Sequence, residues 1–199
     1  MPKGYTTRQQ IENYLLITID QSFYAQVDSW IEEIEAHIDQ VTGRNFVADT
    51  VASARYFDGD NNSKILIDDA VAITEIKIGD NTAIIPDTDP LKADGDFLLY
   101  PLNTLPKTKI SLRGGWFPRY PEQGIKVTGK WGYSVAAPAD IQLAATVLVA
   151  GIIDYSWNAE GEVASMTIGR YSVSYKTDAG WKDFDRVPAI LKSYRKFTF

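Results

Sequence analysis

Cysteine is absent from this chain and histidine occurs once, at His37. The first absence excludes a disulfide framework, a thiolate nucleophile and thiolate metal sites. The second leaves no pair of imidazoles to share a metal, and no Ser or Cys motif accompanies His37, which reads as a packing or partly exposed side chain. A P-loop, a dinucleotide fingerprint, His-Glu-x-x-His and Gly-x-Ser-x-Gly are missing as well. Arg113-Gly114-Gly115-Trp116 lacks the lysine and spacing of a phosphate cradle and reads as a strand-end turn. Basic charge is short: 20 Lys and Arg stand against 26 Asp and Glu, a net charge of −6, which argues against affinity built on neutralising phosphates. The N-terminus lacks the apolar core of a signal peptide, and the most apolar run, Ile141 to Ile153, reads as too short to cross a bilayer. The expectation is a soluble, unexported, non-enzymatic chain with no cofactor, no metal and no membrane partner.

What is present suits an ordinary globular protein. At 199 residues the chain buries roughly 70% of its unfolded surface without a staple, as one domain or two small lobes. Five Trp, eleven Tyr and eight Phe are enough aromatics to suggest buried contacts between subunits.

Periodicity divides the chain into helical ends and a β-rich middle. Thr6 to Gln9 has the form of a capping box opening a short helix with Ile11, Tyr14 and Leu15. From Asp20, a plausible N-cap, apolar residues at Phe23, Val27, Trp30/Ile31, Ile34, Ile38 and Val41 mark one face of a helix closing on Gly43, about six turns and roughly 33 Å long. From Ala54 to Tyr133 the period is two, with short strands at 64–67, 73–78, 83–85, 97–100, 109–112 and 125–131. Residues 78–82 read as a hairpin tip, 86–90 and 116–121 as loops, the latter exposing Trp116 and Phe117. Pro138 starts a helix through about Trp157 that is apolar nearly all round and belongs at the centre of the core. A strand pair around 162–176 follows, and Pro188 opens a last helix with Ile190/Leu191, Tyr194 and Phe197 as its stripe. The fold class is α+β: a helical core of residues 1–50 and 138–199 carrying an inserted β-rich lobe, 51–137.

Two charged patterns stand out. Asp58-Gly59-Asp60-Asn61-Asn62-Ser63 with Asp69 at the twelfth place imitates a calcium loop, but Ser63 stands where Gly is needed, Asp69 where Glu is, and the flanks look like strands, so a plain turn is the better reading. Asp28, Glu32, Glu35 and Asp39 form an acidic stripe on the long helix, with no Lys or Arg from Gln21 to Gly43. It is either a solvated face, or a face meeting a basic neighbouring subunit or lining an acid-walled DNA channel. Lys192, Arg195 and Lys196, in the last turns of the final helix, suit its dipole or a docking role.

The order of these elements, with the words Tyr5-Thr6-Thr7, Thr42-Gly43-Arg44-Asn45-Phe46, Val127-Thr128 with Gly132-Tyr133, Pro138-Ala139-Asp140-Ile141, Ile168 to Tyr175, and Pro188 with Leu191-Lys192-Ser193-Tyr194-Arg195, resembles the phage head-tail connector, or adaptor and head-completion, family. The likeness runs along nearly the whole chain and favours the longer adaptors of prophages and gene-transfer particles. It implies a virion neck protein assembled in the bacterial cytoplasm: a ring of about twelve copies, bound to the portal above and to a stopper or tail-terminator protein below, passing double-stranded DNA without specific binding. It also implies a portal contact through the C-terminal end, assigned here to Tyr194, Arg195, Lys196, Phe197 and Phe199. A cell-wall hydrolase needing two carboxylates in a cleft, and a carbohydrate- or peptide-binding module using the Trp116-Phe117 loop, are the alternatives.

Overall fold

Residues Ala139–Trp157 form α3, the element around which the helical part is built; Ile141, Thr146, Val147, Val149, Ile152 and Ile153 are β-branched, so the helix owes more to burial of its apolar surface than to intrinsic propensity. Its first turn closes with the Gln142 N–H on the Pro138 carbonyl at 2.9 Å. Ile141, Val147, Leu148, Val149 and Ile153 are all buried, each contributing about 1.5–3 kcal/mol. The whole of α3, longer than the apolar run 141–153, is long and apolar enough to cross a membrane by length and composition only, and most of its apolar side chains are buried within the protein.

The structure is a computed structural model that describes residues 2–79, 82–84, 95–157, 163–168, 171–176 and 183–196. It divides into a unit of residues 1–44 and 136–199 and a unit of residues 45–135.

In the first unit α1 (Arg8–Leu15), α2 (Tyr24–Thr42) and α4 (Val187–Tyr194) pack on α3, and a hairpin of β7 (Val163–Ile168) and β8 (Tyr171–Lys176) lies beside it. The N-cap of α1 is Thr7, whose side chain accepts the Gln10 N–H at 3.2 Å, one position beyond the box expected at Thr6. Thr6 is buried, its hydroxyl 2.7 Å from that of Thr146 on α3, so tertiary contact has taken it out of the cap. Asp20 caps a single 3-10 turn, Gln21–Phe23, rather than the long helix. The α-helix proper is 19 residues, about 28 Å, and ends at Gly43 with φ 67°, a left-handed conformation that glycine adopts without strain. Phe23 is therefore not on the α2 core face; it is 45% exposed and its ring lies 5.4 Å from that of Trp157. Pro188 sits in the first turn of α4, where its missing N–H costs nothing, and Val187 and Leu191 are that helix's buried anchors.

The second unit is an antiparallel sheet in the order β1 (Ser53–Phe57), β6 (Ile125–Trp131), β2 (Lys64–Ile78), β5 (Lys107–Leu112), β4 (Phe97–Tyr100), with β3 (Thr82–Ile84) also on β2. On β6, Ile125, Val127, Gly129 and Trp131 point inward while Lys126, Thr128 and Lys130 do not, the period of a sheet with one covered face. The two strands expected at 64–67 and 73–78 are one. β2 pairs with β5 over its first half and β6 over its second, and register shifts between Leu66 and Ala70, Ala70 and Ala72, and Ile73 and Glu75 absorb the change of partner. Trp131 closes the core at one edge: its indole N–H donates to Ser53 at 2.9 Å, and the Arg55 guanidinium lies 4.7 Å over its ring while pairing with Asp68 at 2.7 Å.

Candidate interaction surfaces

The acidic stripe of α2 is divided by the N-terminal segment. Glu35 is 1% exposed, and its carboxylate accepts three consecutive backbone N–H groups: Lys3 at 2.5 Å, Gly4 at 2.9 Å and Tyr5 at 2.7 Å. One turn on, Asp39 takes the Lys3 ammonium and, at 2.5 Å, the hydroxyl of the buried Tyr5. Asp28 pairs with Arg8 at 3.2 Å, and the Arg8 guanidinium stacks 4.0 Å over Tyr24. Glu35 and Asp39 thus hold the chain's own N-terminus, while Glu32 and its neighbour Glu33 are the exposed carboxylates of this stretch.

At the C-terminal end, Tyr194, Arg195 and Lys196 are drawn onto the end of α2. The Arg44 Nε donates to the Tyr194 carbonyl at 2.6 Å, the Lys196 N–H to Thr42 at 2.7 Å, and the Tyr194 hydroxyl reaches Asp140 at 3.2 Å. The backbone of Tyr194 and Lys196 is thus tied to the C-terminal end of α2, while the Arg195 N–H closes on Lys192 within the end of α4. The Lys192 and Arg195 side chains remain exposed. Phe197 and Phe199 lie outside the described residues, as does the loop at 86–90.

Two of the sequence words that carry the resemblance meet in each unit. Arg44 joins Tyr194 in the helical unit; in the β unit the Tyr133 N–H donates to Asn45 at 2.8 Å and the Phe46 and Tyr133 rings lie 5.5 Å apart.

The calcium-like string is a turn held against the 116–121 loop. Asp58 accepts the Gln123 N–H at 2.6 Å, and Asp60 accepts both the backbone and side-chain N–H of Asn62, at 3.0 and 2.7 Å, bonds that lower its pKa. Asp69 is buried in β2. Of the aromatics expected to be exposed here, Trp116 is 63% exposed whereas Phe117 is fully buried in the core of the β unit. His37 is 9% exposed; burial lowers its pKa, against a smaller opposing pull from Glu33. Among the described residues no group of three or more His, Cys, Asp or Glu is placed to hold a metal ion.

No protein-family description matches this chain, and no curated protein matches it. Solved structures do. A chain in the neck of an empty gene transfer agent particle, computed with C6 symmetry, aligns with 96% of this chain and 89% of its own length at 13% identity and a TM-score of 0.56. A chain in the virion of a native gene transfer agent particle gives the same coverage and identity with a TM-score of 0.57. One in the neck of the native particle, computed with C12 symmetry, gives 14% identity, coverage of 96% and 88%, and a TM-score of 0.55. At such identities the likeness is one of fold. The chain has a fold found in the necks of these particles, which agrees with the resemblance to head-tail connectors.

Proposed function

We propose that this chain is a structural protein of a phage-like virion neck: an adaptor that forms a ring under the portal and links the DNA-filled head to the next connector or tail protein. The observation that carries the reading is the likeness of fold over 96% of the chain to proteins in necks reconstructed with sixfold and twelvefold symmetry. A ring of identical copies closes through heterologous contacts, so each copy presents two unlike surfaces. Twelve copies, a portal above and a stopper or tail terminator below complete the reading, with assembly in the host cytoplasm.

DNA passes through the ring without specific binding, a role suited to a net charge of −6. On α2 the carboxylates exposed to a channel or a neighbour are Glu32 and Glu33, since Glu35 and Asp39 hold the N-terminal segment. Portal docking is assigned to the C-terminal end, where the exposed cations Lys192 and Arg195 precede Phe197 and Phe199. No catalysis is assigned to the chain.

Sedimentation with purified portal rings tests this. The chain alone remains mainly monomeric in dilute solution and enters a fast-sedimenting complex when portal is added. A stable dimer indifferent to portal contradicts the reading.

A further inference from the structure

The connection between α1 and α2 is made without either residue that ordinarily breaks a helix: from Tyr5 to Thr42 there is neither Gly nor Pro. The chain turns instead at Leu16, the C-cap of α1, held at φ 56° and ψ 38° in the left-handed region that a leucine disfavours. Leu16 is 90% and Ile17 37% exposed, so packing of these side chains does little to offset the strain. Two bonds to Glu12 fasten the turn: the Ile17 N–H donates to its carbonyl at 3.2 Å and the Ile19 N–H to its carboxylate at 2.8 Å.

The arm before the turn, residues 2–15, is held by the helices after it. Glu35 and Asp39 of α2 take the segment from Lys3 to Tyr5, and Asp28 takes Arg8. On α3 the Thr146 hydroxyl lies 2.7 Å from that of Thr6, and Gln142 accepts from the Gln10 side chain at 3.0 Å. Tyr5, Thr6 and Ile11 are the arm's buried side chains. The arm is thus one side of an interface whose other side lies beyond a strained turn.

We propose that residues 2–15 are an exchangeable arm: in the assembled ring each copy opens at residues 16–18 and seats its arm on α2 and α3 of the neighbouring copy. The inference rests on the neck reading and deepens it by naming one copy-to-copy contact. Exchange repeats the native contacts between two chains, so it needs no further complementary surface. Opening releases the left-handed strain at Leu16, and a stretch without Gly or Pro lets residues 16–23 continue α1 into α2. An arm passed from each copy to the next is a head-to-tail contact, the kind that closes a ring. In dilute solution the nearest site for the arm is its own, which leaves the chain monomeric. Copies held side by side on a portal present neighbouring sites at high local concentration.

A chain without cysteine gives a direct test. Thr6→Cys and Thr146→Cys are made in separate chains and mixed; the two positions are buried together, so a disulfide between them joins two chains only after an arm has crossed. Peptide mass spectrometry of oxidised rings on portal is expected to find this linkage. Leu16→Gly, which relieves the strain and disfavours the helical alternative, lowers its yield about tenfold and raises the melting transition. Leu16→Ala keeps the Cβ that causes the strain and keeps the parent yield, which separates the turn from any contact of the exposed leucine side chain. One chain carrying both cysteine substitutions, oxidised as a monomer, fails to form rings and regains them on reduction. Should a single variant fail to fold, isotope-labelled and unlabelled copies of the double variant report the same linkage between chains. Rings without the 6–146 linkage, or rings formed equally well by the oxidised and reduced double variant, overturn the arm and leave the neck reading intact. Failure of the parent chain to assemble on portal rejects the neck reading; the linkage is then sought in concentrated solution, where its presence supports the arm and its absence overturns it.

Discussion

The backbone N–H of Lys196 donates to the carbonyl oxygen of Thr42 at 2.7 Å, closing the end of α4 onto the end of α2. With the Arg44 bond to Tyr194, it makes the last described residues part of the fold rather than a loose tail. Deleting residues 194–199 therefore lowers the melting temperature: each lost hydrogen bond costs about 1 kcal/mol, and about 2–4 °C goes with each kcal/mol in a chain of this size. Calorimetry of the truncated protein checks this, and an unchanged transition shows that the end carries no stability.

Glu35 is the acceptor for three N–H groups of the N-terminal segment, and its removal leaves them without it. Glu35→Ala should cost about 2–4 kcal/mol, with hydrogen exchange at Gly4 and Tyr5 accelerating beyond the global loss. Exposed Glu33→Ala should stay within about 0.5 kcal/mol. Equal effects from the two would show that the buried carboxylate is not the anchor. A charge reversal meant to probe a channel must likewise use Glu32 and Glu33, because Glu35→Lys dislodges the N-terminus.

His37 gives a pH dependence of definite sign. Burial lowers its folded-state pKa below the ordinary value of about 6.5, so between those two pH values the unfolded chain binds more protons than the folded one. The stability this residue contributes is complete above about pH 6.5 and declines as pH falls toward the lowered value, below which the loss is constant. Denaturant titrations from about pH 7.5 to 5 should show this decline in the parent and a shallower one in His37→Gln. Identical slopes contradict it.

Gly59→Ala should destabilise the β unit by about 1–3 kcal/mol, because the added methyl meets the Pro118 carbonyl rather than a side chain able to move. The same substitution at Gly114, where a Cβ meets nothing within 4 Å, is the control. A melting difference near zero between the two would contradict the packing of these loops.

Much of the fold was legible because its signals are local. Phe97–Tyr100, Ile125–Trp131 and the end of α3 at Trp157 fall where periodicity places them, and Gly43 stops α2 in the left-handed conformation expected of it. The misplacements have a common cause in long-range contact. Thr6 looked like a cap until Thr146 claimed it, Phe23 extended a helical stripe that a 3-10 turn interrupts, and residues 68–72 read as a break because a bulged strand changing partners has no fixed period. The same limit hid the use of the acidic stripe: spacing put Asp28, Glu32, Glu35 and Asp39 on one helix, but only the fold brings Lys3, Tyr5 and Arg8 to them.

The central claim is that this chain is a ring-forming neck protein, and cryo-electron microscopy of the particles that contain it tests that most directly. A reconstruction of the head-tail junction should show density for both units of the chain repeated around the axis directly below the portal, with DNA or an open channel inside. Particles whose neck holds no copy of the chain, or copies found only on the head or tail surface, would contradict the account.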